Sequence, residues 1–518
     1  MTPPAVQKPA TLNPVTTRGH APLARATTVT MLLVIAGTVT GFARDLLVAG
    51  VFGASASTDA FMIAWTVPET AAPLLIEGAL SFLLIPYFSR AVADGRPLRE
   101  VVWAALPKVL LALVLLTAVT AAAAPLITRA LAPGMPDHSL AARCMQVTAL
   151  TVLGFGLAGY GSAALRTHKV FGPPAAIYLA YNAAIIAAVA LGHSAWGIVS
   201  VAYGVAAGGL AMVLILAPSV VRRIGPPLRG GAALSISWTI FAPIAAFTLI
   251  RQAQVFVERF VASSLPTGSI SYLNYAQKIA QVPMVASLIV ATVSFPALAR
   301  AIAARDDESA ARRVLGDMRV AAALILFSTA FLVAHAPDVV RLLLEHGAFT
   351  AGDTEATAWS MRLYSLGLLG QVAVGVLCRV YFCAQQPMWY PAVVMVAGLV
   401  LTAVAAPLLV PALGVGGVAL ANAAGITLTG ALLLRGLRAP LLVLPKRALM
   451  FSLGRLTLAA ALATGACFAV RPAVPDLPVL VLVLLEAAGT AAAFVIAALL
   501  VGAKRDLSAA LRLREEGA

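Results

Sequence analysis

The sequence predicts an all-α integral membrane protein of about fourteen transmembrane helices, built as two pseudo-symmetric six-helix lobes plus two C-terminal helices. Three observations predict it. Charge is scarce: 11% of the 518 residues are Asp, Glu, Lys or Arg and 61% are hydrophobic, with a mean hydropathy of +0.94. A soluble chain of this size carries about 25% charged residues, so too little polar surface remains to cover a water-soluble globule. The apolar residues fall in continuous runs long enough to cross the hydrocarbon, without the period-two alternation of barrel strands. The pattern of the first half also recurs in the second.

The chain opens on a Pro/Thr-rich tail, residues 1–27, with Lys8, Arg18 and Arg25. The apolar run that follows is too long for a secretory h-region and contains Arg44 and Asp45, so a signal peptide does not fit. Spans are expected near 28–53, 58–89, 101–128, 140–166, 172–193 and 196–220, forming an N-lobe over 28–225. A second set near 237–263, 269–300, 318–336, 355–384, 391–410 and 413–436 forms a C-lobe over 226–440. Two more, near 449–470 and 478–502, occupy 441–503 as an appendage, and 504–518 is a tail.

Charge sets the orientation. Alternate loops hold Arg90, Arg96 and Arg99; Arg166 and Lys169; Arg222, Arg223 and Arg229; Arg300, Arg305, Arg312 and Arg313; and Arg435, Arg438, Lys446 and Arg447. The C-terminal tail adds Lys504, Arg505, Arg512 and Arg514. Intervening loops are poorer in Lys and Arg, with Arg129, Arg143, Arg341 and Arg471 as exceptions. The positive-inside rule therefore puts both termini in the cytoplasm of a multi-pass bacterial cytoplasmic-membrane protein. The net charge of +15 belongs to this pattern and to anionic lipid, and no nucleic-acid module is present.

The repeat is in register. Pro73, Pro86 and Arg90 match Pro283, Pro296 and Arg300, each 210 positions on, and Leu153, Gly154 and Arg166 match Leu366, Gly367 and Arg379, 213 on. Spans one to six thus read as a parallel copy of spans seven to twelve, the plan of a transporter with its site between two lobes. Pro68, Pro73 and Pro86 are expected to break span two, and Pro283 and Pro296 span eight.

A charge at the bilayer centre costs about 2.5–3.5 kcal/mol, so such residues face a wet cavity or a partner. Arg44 and Asp45 lie in span one; Asp59, Glu69 and Glu77 in span two; Arg251, Glu258 and Arg259 in span seven; Lys278 in span eight. Spacing puts Glu69 and Glu77 near one helix face, and Arg251 and Glu258 on another. By the repeat these are equivalent helices of the two lobes. They predict a polar, mainly cationic cavity for an anionic substrate, since the planar guanidinium pairs with phosphate oxygens. The candidate substrate-binding residues are Arg44, Asp45, Asp59, Glu77, Arg251, Arg259 and Lys278. Structural ion pairing competes with that reading, and for Asp59 helix capping competes equally. No catalytic constellation or phosphate-binding loop occurs, so no enzyme activity is expected. No metal is expected either: Cys144, Cys378, Cys383 and Cys467 read as small buried hydrophobes, and the six histidines as loop or interfacial residues.

Several stretches resemble the MviN/MurJ family of lipid II flippases. "GFARD" (Gly41–Asp45), "TDAF" (Thr58–Phe61) and "EGALS" (Glu77–Ser81) are similar to motifs of that family's first two helices. "EHGAFTAGDTEATA", "CRVYFCAQQPMWYP" and "LGVGGVALANA" are similar to stretches farther along, in the same order. The resemblance implies movement of an undecaprenyl-pyrophosphate-linked glycan, lipid II foremost, from inner to outer leaflet by alternating access. It implies that Arg44 and Lys278 meet the head group, that the prenyl tail stays in lipid, and that no cofactor is needed beyond the membrane potential or a monovalent cation. Membrane lipids and cell-wall synthesis enzymes are the partners it suggests. Three arginines of the family's pattern fall on Thr38, Ala72 and Pro73 here. Arg251 or Arg259 is then the remaining source of positive charge. Other readings stay open: another lipid-linked polysaccharide, a small-molecule exporter of the multidrug (MATE-like) type, or a non-transporting envelope scaffold.

Overall fold

The computed structural model describes residues 20–77, 79–226, 238–384, 389–437, 442–471, 477–504 and 506. The first eight helices are α1 (His20–Phe52), α2 (Ala56–Ala72), α3 (Ala79–Ala93), α4 (Leu98–Leu131), α5 (Ser139–Thr148), α6 (Leu150–Thr167), α7 (Gly172–Trp196) and α8 (Val199–Ile224). Then come α9 (Trp238–Ala262), α10 (Ser269–Ala303), α11 (Asp307–Ala334), α12 (Ala336–Leu344), α13 (Ala351–Ser365), α14 (Leu368–Ala384), α15 (Tyr390–Leu413) and α16 (Val415–Gly436), with α17 (Lys446–Val470) and α18 (Val479–Leu500) last. Among the described residues the regular structure is all helical.

Among the described residues ten helical segments are long and apolar enough to cross a membrane, and the pair α13–α14, bent by 45°, brings these to eleven. The other expected spans, 58–89, 237–263 and 269–300, are helical as α2–α3, α9 and α10. They carry Asp59, Glu69, Arg251, Glu258, Arg259 and Lys278. Large apolar side chains point outward on the periphery, as lipid contact requires: Leu126, Leu408 and Leu500 are each more than two-thirds exposed.

Helices α1–α8 pack mainly among themselves, and α9–α16 likewise, with α17 and α18 set against α11. The repeat survives in the backbone. The fourth span of each half is interrupted, at Ala149 between α5 and α6 and at Leu366–Gly367 between α13 and α14. The fifth and sixth spans turn on Gly197 (φ 53°, ψ −141°) and Gly414 (φ 57°, ψ −137°). Positive φ with that ψ is open only to glycine at low cost. Along the helices that the second turn joins, α15 and α16 approach so closely that a Cβ on Gly425 would lie 2.5 Å from the Gly398 carbonyl oxygen. Small residues let membrane helices meet backbone to backbone, where lipid supplies no hydrophobic drive between them.

Of the prolines expected to break span two only Pro73 does, since Pro68 lies inside α2 and Pro86 inside α3. Pro73 begins a π-helical turn, Pro73–Glu77, that separates α2 from α3. The expected break in span eight is corrected: α10 runs through Pro283 and Pro296 without interruption. Its neighbours α11, α13 and α14 pack along it and hold it helical. Cys144 and Cys378 are buried, Cys383 and Cys467 partly so, and all four are free thiols.

The two halves are tied together at one end of the bundle, where α1 turns into α2 and α9 into α10. The Ala348 amide donates to the Gly50 carbonyl at 2.8 Å. Gly53, with φ +61°, sits so close that a Cβ would lie 2.5 Å from the Ala348 oxygen. The Gly134 amide donates to Ser263 Oγ at 3.2 Å. Asp59 makes the strongest tie. Its Oδ2 accepts from the Gly268 amide (2.7 Å) and its Oδ1 from the amide (2.8 Å) and hydroxyl (2.6 Å) of Ser271. A residue of α2 thus caps the N-terminus of α10, where free amides and the helix dipole favour a carboxylate. The start of α2 itself is capped by Ser55, whose Oγ accepts from the Thr58 amide. Beside this seam Thr350 and Asp353 form a capping box on α13, and Asp353 also accepts from the Tyr272 hydroxyl at 2.7 Å.

Candidate substrate-binding site

Inside this closed end, charged residues of α1, α2, α9 and α10 meet. Arg44 is buried, its guanidinium 4.8 Å above the Trp65 ring. It donates to Asp45 Oδ1 through Nε (3.0 Å) and Nη2 (2.6 Å), and to Asn182 Oδ1 through Nη1 (2.9 Å). Asn182 is fixed in turn, because its amide nitrogen donates to the Gly37 carbonyl at 3.0 Å. A small cavity joins Arg44, Asp45 and Trp65 from one half to Asn274, Tyr275 and Lys278 of α10 from the other.

A second cluster adjoins it. Glu69 of α2 accepts from Arg259 of α9 at 2.5 Å and lies 3.7 Å from Lys278 Nζ. Arg259 also donates to Thr66 Oγ1, and Gln252 donates to the Glu69 carbonyl at 2.8 Å. Lys278 belongs to both clusters and is the most exposed member, at 31% of its side chain. Three cations thus face two carboxylates, Asp45 and Glu69. Charges this far from water need such partners, and the surplus positive charge suits an anion.

A cavity of about 480 Å³ runs between α1 and α7 and ends at Asn182. Thr30, Val34, Gly37, Thr38 and Gly41 line one wall and Tyr178 the other, with Arg166 and Ile76 also bordering it. Thr38 is therefore a neutral wall residue. Arg166 brings a guanidinium to the same space.

The structure brings together four of the sequence candidates: Arg44, Asp45, Arg259 and Lys278. It corrects two. Arg251 is exposed and does not join Glu258 as the seven-residue spacing suggested. Glu258 turns the other way, accepting from the Tyr364 hydroxyl at 2.5 Å and from Asn422 Nδ2. Asp59 has both carboxylate oxygens committed to α10, so it holds the halves together and does not face a ligand. The side chain of Glu77 lies outside the described residues. Glu69, marked in the sequence as an intramembrane charge but not among the candidate binding residues, touches both Arg259 and Lys278, and sequence reasoning passed over Asn182 and Trp65. A lone asparagine amid "AYNAAII" was the available signal for Asn182.

Paired charges at the seam of two repeated helical halves, shut at one end and reached by a cavity, define a two-lobed membrane transporter of the alternating-access kind. Residues 48–486 match the family model described as Lipid II flippase MurJ. The chain belongs to that family. It is 26% identical over 417 residues to Lipid II flippase MurJ of Burkholderia cenocepacia, covering 77% of this chain and 81% of that protein. It is 25% identical over 458 residues to Probable lipid II flippase MurJ of Vibrio cholerae, covering 83% and 85%. Among solved structures it is similar in fold to "Lipid II flippase MurJ, inward closed conformation", with a TM-score of 0.76 at 21% identity over 93% of this chain and 99% of that one. A MATE family multidrug transporter in its inward-facing conformation shares the fold at a TM-score of 0.66 and 16% identity, over 78% and 95%.

Proposed function

We propose that this chain is a lipid II flippase of the bacterial cytoplasmic membrane, with both termini inside. The observation that carries this reading is the cavity where Arg44 of one lobe faces Lys278 of the other. In this closed state that cavity, about 10 Å³, has room for about one water; a pyrophosphate admitted as the lobes part meets two cations from bodies that move relative to one another, so its binding responds to their motion. Arg259 adds a third cation, while Asp45 and Glu69 serve as internal counter-ions. The basic loops support an outward-facing Asp59 end, and on that reading the bundle is shut toward the outer leaflet. The membrane potential assists, since each charge moved through the full field is worth about 2.3 kcal/mol per 100 mV. The glycan head group occupies the space between the lobes and the prenyl chain stays in lipid.

The test is complementation of a bacterium depleted of its own lipid II flippase. Rescue by the wild type, with failure of membrane-inserted Arg44→Ala and Lys278→Ala, supports the proposal. A well-expressed wild type that does not rescue assigns the chain to another lipid-linked glycan. That reading has its own observation: Thr38, where the family carries arginine, lines the cavity as a neutral residue.

A further inference from the structure

Far from the central clusters, three potential ligands converge beside α12. His335 sits at the α11–α12 junction, Asp338 in the first turn of α12, and Glu486 on α18. One donor atom from each lies within 4.8 Å of the other two. His335 Nδ1 is 3.0 Å from Glu486 Oε1, and the two side chains are only 6% and 7% exposed. Neither ring nitrogen of His335 is in hydrogen-bonding geometry, and Glu486 Oε2 has no hydrogen-bond partner. Buried polar atoms left unmatched are costly, and two carboxylates facing each other need a shared proton or a cation. His335 lies at a helix junction, as expected of the histidines, yet is only 5% exposed.

We propose that His335, Asp338 and Glu486 form a binding site for a first-row divalent cation, Zn²⁺ by preference, that staples α18 to α12. One imidazole nitrogen and two carboxylate oxygens, with water completing a tetrahedron, are a donor set that zinc accepts. Its ligand atoms stand roughly 3.4 Å apart at zinc's bond lengths, so from separations within 4.8 Å the groups need close by at most about 1.4 Å. Arg471 donates to Asp338 Oδ2 at 2.9 Å and so orients that carboxylate, as outer partners of metal ligands do. Arg362, close enough to influence His335, is the other cation there. Its Nε donates to the Val333 carbonyl at 3.0 Å, away from the ligand atoms. The staple reaches farther than its ligands. Helix α12 leads straight into the loop whose Ala348 amide bonds to Gly50 across the lobes. A cation here therefore stiffens the anchor of the closed end.

The test is Zn²⁺ titration of the purified full chain, stripped with chelator, by calorimetry and by thermal unfolding. The wild type is expected to bind one equivalent at micromolar affinity or tighter and to gain thermal stability. Glu486→Gln, which keeps the side-chain volume, and His335→Ala are each expected to weaken binding at least a hundredfold. Mg²⁺, which avoids nitrogen ligands, is expected to give no stabilisation. A folded wild type without saturable Zn²⁺ binding overturns the proposal. So do variants that bind Zn²⁺ as tightly as the wild type, which would move the ion to the thiols or elsewhere.

Discussion

Replacing Asp59 by asparagine should unlatch the closed end while leaving each lobe folded. Asp59 accepts three hydrogen bonds from the first turn of α10 at 2.6–2.8 Å while only 7% exposed. Hydrogen bonds to a charged acceptor contribute about 1.5–3 kcal/mol, and a carboxylate at a helix N-terminus adds about 0.3–2 kcal/mol. Asparagine keeps one neutral acceptor, so part of this survives and a net loss of about 2–3 kcal/mol follows. The contact joins two lobes. The loss therefore falls on the equilibrium between closed and open ends, shifting it roughly 30- to 150-fold at about 1.4 kcal/mol per decade. Spin labels at the exposed positions Ala56 and Thr267, in a chain whose cysteines are replaced, report the separation by double electron–electron resonance. The variant should populate a longer distance that is scarce in the wild type. Unchanged distance populations would refute the reasoning and assign the closure to the Gly50–Ala348 and Gly134–Ser263 contacts alone.

Other consequences are equally open to measurement. Arg259→Gln should destabilise the chain in detergent by about 1–3 kcal/mol, because buried Glu69 keeps only Lys278, 3.7 Å away, as a charged partner. The double variant Arg259→Gln, Glu69→Gln should recover much of that, and an additive cycle in thermal unfolding would refute the pairing. Lys278→Ala should lower flipping by more than tenfold and Lys278→Arg should restore most of it, read as appearance of labelled lipid II in the outer leaflet. Gly425→Ala should cost about 1–3 kcal/mol through overpacking of α15 against α16, seen as a lower unfolding midpoint with the same helix content. Asp306 caps α11 outside the membrane, and the Ser309 amide that it accepts from holds its carboxyl below the ordinary range. A depressed folded-state pKa means that the cap is present above the unfolded value and lost as pH falls through the folded one. Amide exchange in the first turn of α11, corrected for its intrinsic rate, should therefore rise only at acidic pH, and Asp306→Ala should abolish that dependence.

The periodic part of the fold was legible in the sequence. Apolar runs with prolines and arginines in register are enough to mark spans and their duplication. What was not legible was where each charge turns. Arg251 and Glu258 share a face by spacing, yet Glu258 finds Tyr364 and Asn422 on helices more than a hundred residues away. Proline is ambiguous for the same reason: Pro73 opens a π-turn, while α10 accepts Pro283 and Pro296 because three helices support it. The site was half legible. Arg44 and Lys278 stood out as misplaced charges, whereas Glu69 needed Arg259 and Lys278 to be seen beside it. Glu486, one acid in an apolar last helix, gained meaning only once His335 and Asp338 lay against it.

The pairing of Arg44 with Asp45 and of Arg259 with Glu69 bears on the half of the cycle in which nothing is carried. On the proposed function, a flippase must reset empty-handed, and bare guanidiniums would hold the lobes apart by mutual repulsion or trap whatever anion is at hand. Built-in carboxylates act as understudies for the pyrophosphate: they release the arginines when cargo arrives and reclaim them when it departs. Affinity is thereby exchanged for turnover. A chain in which Asp45 or Glu69 is neutralised should grip its cargo more tightly and deliver it more slowly.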